Sequence, residues 1–104
     1  QRQFGAWQTI QRSHAVANSV PVIVANRIGF EASPVKGDNG IQFWGQSFIT
    51  GPQGEILAQA DADSEQNLMV ELDLSRTEQV KRIWPYFRDR RIDAYEDMTK
   101  RWRD

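Results

Sequence analysis

Cysteine is absent from this sequence of 104 residues. Its absence excludes a disulfide framework, a zinc site with cysteine ligands and a cysteine nucleophile within the chain, and it is typical of a cytoplasmic protein. Histidine occurs once, as His14. Because His14 lies on a predicted apolar helix stripe, we interpret it as a buried, hydrogen-bonded side chain and not as a general base. We expect no metal and no cofactor.

Excess charge is also lacking, because 13 Lys and Arg side chains are balanced by 14 Asp and Glu side chains. A net charge of −1 gives no overall field that would attract nucleic acid or an anionic membrane, and we expect neither as a partner. No apolar run approaches the ~18 residues that span a bilayer. The sequence begins with neither Met nor a signal-peptide pattern, so we expect a segment from the interior of a longer protein.

The first half of the sequence predicts a helix followed by a strand. Hydrophobic spacings of three and four residues predict the helix between Phe4 and Val20, ended by Pro21. One face of this helix is formed by four residues: Trp7, Ile10, His14 and Ala17. The apolar, largely β-branched run Val22 to Ala25 predicts a strand that is covered on both faces. The loop FEASPVKGDNG follows it.

The second half predicts a three-stranded meander and a helix. Phe43 to Thr50 has the pattern of one strand, and Gly51-Pro52-Gln53-Gly54 predicts a type I turn into a strand from Glu55 to Ala60. The segment Asn67 to Leu74 predicts the third strand. A capping box of Ser75 and Glu78 predicts the start of a helix, which Pro85 interrupts, and the tail is predicted to be helical from about Asp89.

Two candidate sites, a serine nucleophile and a calcium loop, are better interpreted as structural features. Ser47 follows Gly45 by two residues, but a nucleophile elbow also needs a glycine two residues after the serine, where this chain has Ile49. We therefore interpret Ser47 as a packing residue. The alternating carboxylates between Asp61 and Glu65 lack the mid-loop glycine and later bidentate glutamate of a calcium loop, which favours a solvated acidic turn.

The aromatic, basic tail segment KRIWPYFRDRR has the composition of a surface on which single-stranded nucleic acid stacks. Four carboxylates are interleaved with its cations or follow them: Asp89, Asp93, Glu96 and Asp97. They favour intramolecular ion pairs, or packing against a partner subunit, over phosphate binding.

Three stretches in order resemble the C-terminal part of the nitrilase superfamily, the carbon–nitrogen hydrolases. They are WQTIQRSHAVANSVPVIVANRIGFE, FWGQSFITGPQGEILAQAD and FRDRRIDAY. The matching motifs are the strand end Asn26-Arg27-Ile28-Gly29 and the hairpin pattern of Gly45, Ser47, Pro52, Gly54 and Glu55, and the hairpin pattern is specific to the superfamily. Within the family, the chain most resembles the branch that hydrolyses N-carbamoylputrescine.

The resemblance implies an α/β fold that is part of a four-layer αββα sandwich. It implies that residues 1–104 are the C-terminal portion of a single hydrolase domain. In the family, a Glu-Lys-Cys triad cleaves a non-peptide C–N bond, and all three residues precede the region matched here. The resemblance therefore implies no catalytic residue in this chain, which alone would be inactive.

The implied reaction converts N-carbamoylputrescine to putrescine, carbon dioxide and ammonia, in polyamine synthesis. Two alternatives remain: a β-ureidopropionase-like or other ω-amidase specificity, and a non-catalytic interaction module. We expect a small carbamoyl amide as substrate and the missing N-terminal portion of the same protein as a partner.

The resemblance also suggests where the chain contacts its ligands. The loop from Phe30 to Gln42 is expected near the active-site mouth, where Glu31, Asp38 and Trp44 are candidate contacts for a cationic diamine through charge and cation–π attraction. The tail from Trp84 to Asp104 resembles the segment that family members pack against a neighbouring subunit, so we expect a homo-oligomer.

Overall fold

The computed structural model describes residues 2–102 and shows two helices and five short strands. In chain order they are helix α1 (Arg2–Asn18), strands β1 (Val22–Val24), β2 (Ile28–Glu31), β3 (Ile41–Trp44), β4 (Phe48–Thr50) and β5 (Ile56–Gln59), and helix α2 (Leu74–Ile83). Two 3₁₀ turns follow, Ile92–Ala94 and Glu96–Thr99. None of the helices within residues 2–102 is both long and apolar enough to span a membrane.

The strands form two antiparallel sheets. One has the order β1-β4-β5 with β4 in the centre, and the other is the hairpin of β2 and β3. The prediction of one strand from Phe43 to Thr50 is wrong, because Gly45 and Gln46 adopt positive φ values of 56° and 55°. Two successive left-handed residues interrupt the pleat, so β3 and β4 belong to different sheets.

Helix α1 packs on the β1-β4-β5 sheet through aromatic contacts. The ring of Trp7 meets that of Phe48 edge-to-face, with 5.5 Å between centroids. Phe48 and Ala15 are fully buried, at 0% exposure. A T-shaped contact of 6.1 Å joins Trp7 to Trp44 at the end of β3. The core therefore lies between α1 and the central strand β4.

The predicted buried face of α1 is wrong in register. Ala15 is buried and Gln11 is half-buried, whereas Ile10, His14 and Ala17 are exposed. The helix carries apolar residues on more than one side, and contact with the central strand, not helical periodicity, decides which side turns inward. The expectation of a buried His14 is wrong for the same reason.

The turn after β4 is confirmed, since Gly54 N donates to Gly51 O at 3.1 Å. Strand β5 returns antiparallel as predicted. The predicted third strand from Asn67 to Leu74 is wrong, and the third strand of this sheet is β1, which pairs with β4 on the side opposite β5. Residues 67–72 still alternate in burial, with the half-buried side chains Leu68, Val70 and Leu72. They lack a paired strand among residues 2–102, and a strand requires one.

The capping box at α2 is also wrong. The N-cap is Asp73, whose Oδ1 accepts from Ser75 N at 2.9 Å and from Ser75 Oγ at 2.6 Å. These hydrogen bonds lower the pKa of the Asp73 carboxyl below its ordinary value. Glu78 instead lies 3.6 Å from Lys81 Nζ on the surface of the helix. The helix ends at Ile83, ahead of Pro85 as predicted.

The tail forms the two short 3₁₀ turns and not the predicted longer helix. Its expected intramolecular ion pairs are present, between Arg88 and Asp89 and between Arg91 and Asp93. Residues 1, 103 and 104 lie outside the described residues, including the end of the predicted subunit contact.

Candidate functional site

Ser47 joins the two sequence motifs that carry the family resemblance. Its Oγ accepts from Asn26 N at 2.9 Å and donates to Asn26 O at 3.3 Å. Asn26 Nδ2 donates to Gly45 O at 2.8 Å, and Gly45 N donates to Arg27 O at 2.8 Å. The end of β1 is thereby fastened to the bend between β3 and β4. This structural use of the hydroxyl agrees with the interpretation of Ser47 as a packing residue.

Gly45 is required at this bend by both conformation and space. Its φ of 56° lies in the left-handed region. A Cβ there would approach Ile28 Cγ2 to 2.7 Å and Ala62 O to 2.8 Å. The second oxygen is main-chain and cannot move aside as a side chain would. The close approach brings the bend against the acidic turn that follows β5.

An open cleft of about 360 Å³ lies at the end of the sheet where β1 and β5 finish and β4 begins. We call it the polar cleft, and most of its lining side chains are polar or charged. The lining residues are Asn26, Arg27, Ile28, Gln46, Ser47, Ala60, Asp61, Ser64, Glu65 and Gln66. The bend held by Ser47 therefore forms one of its walls.

The acidic turn is organised around Asp61. The Asp61 carboxylate accepts hydrogen bonds from the main-chain N of Asp63 and Ser64, from Ser64 Oγ and from Gln66 Nε2, at 2.7–2.9 Å. The bond from Ser64 Oγ is the largest cause of the lowered pKa of Asp61. Through these hydrogen bonds the Asp61 carboxylate stabilises the turn, which agrees with the prediction of a solvated acidic turn. No group of three His, Cys, Asp or Glu side chains in the described part could hold a metal ion.

Arg27 is the cation of the polar cleft. Its guanidinium carbon lies 4.3 Å from the centroid of the Phe43 ring, and Nη1 lies 2.7 Å from Glu31 Oε2. Both side chains of the ion pair are more than half exposed, at 65% and 54%. Sequence reasoning did not assign Arg27 a role. Its spacing of four from Glu31 along an extended segment, which places both on one face, was the signal that could have found it.

The three predicted substrate contacts do not form one cluster. Gly29 pairs with Phe43 and Ile28 with Trp44, so the pleat puts Glu31 on the face of Phe43 and Trp44 on the opposite face. Trp44 packs against α1, and its buried Nε1 has no hydrogen-bond partner among residues 2–102.

Asp38 lies in the loop between β2 and β3 and is exposed. Its Oδ2 accepts from Ser33 Oγ at 3.2 Å, and its main-chain N donates to Val35 O at 3.2 Å. These contacts hold the loop closed on itself. Part of the predicted loop from Phe30 to Gln42 is strand, since β2 includes Phe30 and Glu31 and β3 begins at Ile41.

The comparisons with known proteins agree with one another. A family model described as "Carbon-nitrogen hydrolase" matches residues 5–82. The N-carbamoylputrescine amidase of Arabidopsis thaliana is 44% identical over 91 residues, which are 86% of this chain and 30% of that protein. The citrullinase of Francisella tularensis is 33% identical, over 92% of this chain and 32% of its own length.

A solved structure is similar over almost the whole chain. The crystal structure of a carbon–nitrogen hydrolase from Helicobacter pylori G27 matches with a TM-score of 0.91 and 51% identity, covering 98% of this chain and 35% of that one. The predicted α/β fold of the nitrilase type is thereby confirmed. The chain spans about a third of the length of each of these relatives.

Proposed function

The chain belongs to the carbon–nitrogen hydrolase family, and from that premise we propose that it is the C-terminal portion of an amidohydrolase. The observation that carries the proposal is the 44% identity to an N-carbamoylputrescine amidase over 91 residues, which include both motifs joined by Ser47. We propose N-carbamoylputrescine as the substrate, hydrolysed to putrescine, carbon dioxide and ammonia in polyamine synthesis.

The catalytic groups of this proposal lie outside residues 1–104. A cysteine would attack the carbonyl carbon, a glutamate would act as general base, and a lysine would stabilise the oxyanion. This chain would supply one wall of the substrate site, built from the polar cleft and the β2–β3 hairpin. Residues 1–104 alone are then inactive, and the coding sequence upstream should encode all three catalytic residues.

The cationic end of the substrate is the part that this chain would recognise. Asp61 and Glu65 line the polar cleft, and Glu31 and Asp38 lie on the hairpin and its loop. We retain Glu31, Asp38 and Trp44 as proposed contacts. Since Glu31 and Trp44 are on opposite faces of the hairpin, they would contact different parts of the bound substrate.

The test is hydrolysis by the full-length protein, measured as ammonia release. N-carbamoylputrescine, N-carbamoyl-β-alanine and a simple ω-amide form the panel, and the first should have the highest kcat/KM. The variant Asp38→Asn should raise KM for N-carbamoylputrescine with little change in kcat, because binding charge is removed and not catalytic machinery. Equal rates on all three compounds would contradict the proposed substrate, and absence of all hydrolysis would contradict the proposed activity.

A second candidate substrate class has its own support. The 33% identity to a citrullinase favours a ureido or ω-amide compound that carries a carboxylate, and Arg27 in the polar cleft would then be the cation that contacts it. A β-ureidopropionase-like or ω-amidase activity would belong to this class. In the same panel, preference for N-carbamoyl-β-alanine would support it.

A further inference from the structure

The ion pair of Arg27 and Glu31 places opposite charges beside the polar cleft. Arg27 lines the cleft, whereas Glu31 does not. The guanidinium lies over Phe43 at 4.3 Å, which restrains its plane, and the 2.7 Å contact to Glu31 restrains one edge. The cation is therefore held in a fixed position by two contacts on one face of the hairpin.

The other polar groups of the cleft are largely engaged with one another. Ser47 and Asn26 bond to each other, and Gln66 exchanges hydrogen bonds with Asp61. For the Arg27 side chain, the hydrogen bond within residues 2–102 uses Nη1, which leaves Nε and Nη2 as donors for a bound molecule. Arg27 is accordingly the donor best placed to contact a ligand in this cleft.

The net charge of the cleft depends on whether the positive charge of Arg27 is compensated by a neighbouring carboxylate. With Glu31 beside it, the pair is neutral, and the carboxylates Asp61 and Glu65 leave the cleft net negative. We infer that Arg27, positioned by Glu31, is a specificity-determining residue that sets which charged substrate end the cleft accepts. In the native protein the pair is compensated, so a cationic end is preferred to a carboxylate. This inference rests on the proposed hydrolase function.

Single substitutions of the pair should move selectivity in opposite directions. Arg27→Gln removes the positive charge and leaves Glu31 uncompensated, so preference for a cationic substrate should rise about tenfold. Glu31→Gln leaves Arg27 uncompensated, so the same preference should fall about tenfold. A residue with a purely structural role would change the rates for all substrates by the same factor.

The experiment measures kcat/KM of the full-length enzyme on three ureido compounds of similar length and different charge. They are N-carbamoylputrescine (cationic), ω-ureidopentanoate (anionic) and N-pentylurea (neutral), and each charged rate is divided by the neutral rate. The double variant Arg27→Gln/Glu31→Gln should return close to the native ratio. High salt should reduce the differences, because it screens exposed charges. Glu78→Gln and Lys81→Gln, from an ion pair on α2, should leave the ratio unchanged.

Each outcome decides between the two proposals. Opposite shifts in the two single variants support the inference. Hydrolysis with the same charge ratio in every variant overturns the inference and leaves the proposed function in place. Absence of hydrolysis of all three compounds by the native enzyme overturns the proposed function and the inference with it. If Arg27→Gln fails to fold, Arg27→Lys should retain the native ratio, and a tenfold change in it would contradict the role of charge.

Discussion

Two residues of one bend, Gly45 and Gln46, decide where the polar cleft lies. Their left-handed backbone follows the end of β3 and leads into β4, whose first residue pairs with the last residue of β1. The Ser47 hydroxyl then forms hydrogen bonds with both the main-chain N and the main-chain O of Asn26. The bend rests on the acidic turn, since Gln46 N donates to Asp61 O at 2.9 Å. A change at this bend should therefore affect folding and the cleft together.

Gly45→Ala should destabilise the full-length protein by about 1–3 kcal/mol, because a non-glycine residue at positive φ is strained and the new Cβ meets main-chain atoms. The measurement is denaturant unfolding. Gly5→Ala is the matched control, since Gly5 lies in α1 with nothing within 4 Å of an added Cβ. That control should stabilise by roughly 0.5–1 kcal/mol through helix propensity. Equal effects of the two changes would contradict the strain at Gly45.

The sequence was sufficient to reject Ser47 as a nucleophile, because that argument needs only its neighbours in the chain. It was not sufficient to find the partner of Ser47, because Asn26 is 21 residues away. Glu31 and Trp44 show the same limit. Their residue types suggested a shared role, but the pairing register of β2 and β3 places them on opposite faces. Local patterns do not contain that register.

Helix α2 shows how an element is predicted correctly while its cap is not. The helix and its end before Pro85 follow from local spacing and from proline geometry. Its start was assigned to Ser75 through the spacing to Glu78, whereas the chain reaches helical geometry at Leu74, so the preceding Asp73 becomes the cap. Asp, Ser and Thr are all good caps, and the choice among adjacent ones depends on how the chain arrives.

The cap predicts a pH dependence with a definite sign. The pKa of Asp73 is lowered from 3.8 by the hydrogen bonds from Ser75. A lowered folded-state pKa contributes stability that is present above the unfolded value and is lost as the pH falls through the folded value. Asp73→Ala should therefore lower the melting temperature at neutral pH, and its difference from the native protein should shrink in acid below pH 3.8.

Glu78→Gln is the control for this prediction, because the capping box would make it as harmful as Asp73→Ala. In the structure Glu78 has only an exposed contact with Lys81 at 3.6 Å, so its loss should change the melting temperature little. A larger effect from Glu78→Gln than from Asp73→Ala would refute the assignment of the cap.

At the scale of the whole molecule, many large apolar side chains are exposed to solvent. Ile23 in β1 is 70% exposed. Met69 is 92% exposed and lies in the segment 67–72, which pairs with no strand among residues 2–102. Residues 67–72 alternate in burial as a strand does, but they have no strand partner within the described part of the chain. We therefore expect a strand from further protein to pair with them. Apolar surface of this extent is typical of a contact with further protein. We expect such a contact, because the chain spans about a third of the length of its relatives.

The tail also carries exposed apolar side chains, which form a second surface. A groove of about 400 Å³ lies between the end of α1 and residues 84–88. The rings of Trp84 and Tyr86 stack at 6.2 Å beside it. Beyond the groove, Ile92 and Trp102 are 73% and 70% exposed. Large exposed apolar side chains are costly in water unless a partner covers them, so we expect the tail to contact a neighbouring subunit.

Ile92→Glu and Trp102→Glu should therefore dissociate the homo-oligomer that we expect the full-length protein to form, because each would place a charge in the expected apolar contact. Sedimentation velocity measures the change, and the substitutions should leave the folding of each subunit intact, since both side chains are exposed within residues 2–102. Val35→Glu is the matched control: Val35 is 63% exposed in the loop between β2 and β3, away from the tail in sequence. An unchanged sedimentation coefficient for both tail variants would rule out the tail as a subunit contact. Dissociation by Val35→Glu as well would show that the effect is not specific to the tail.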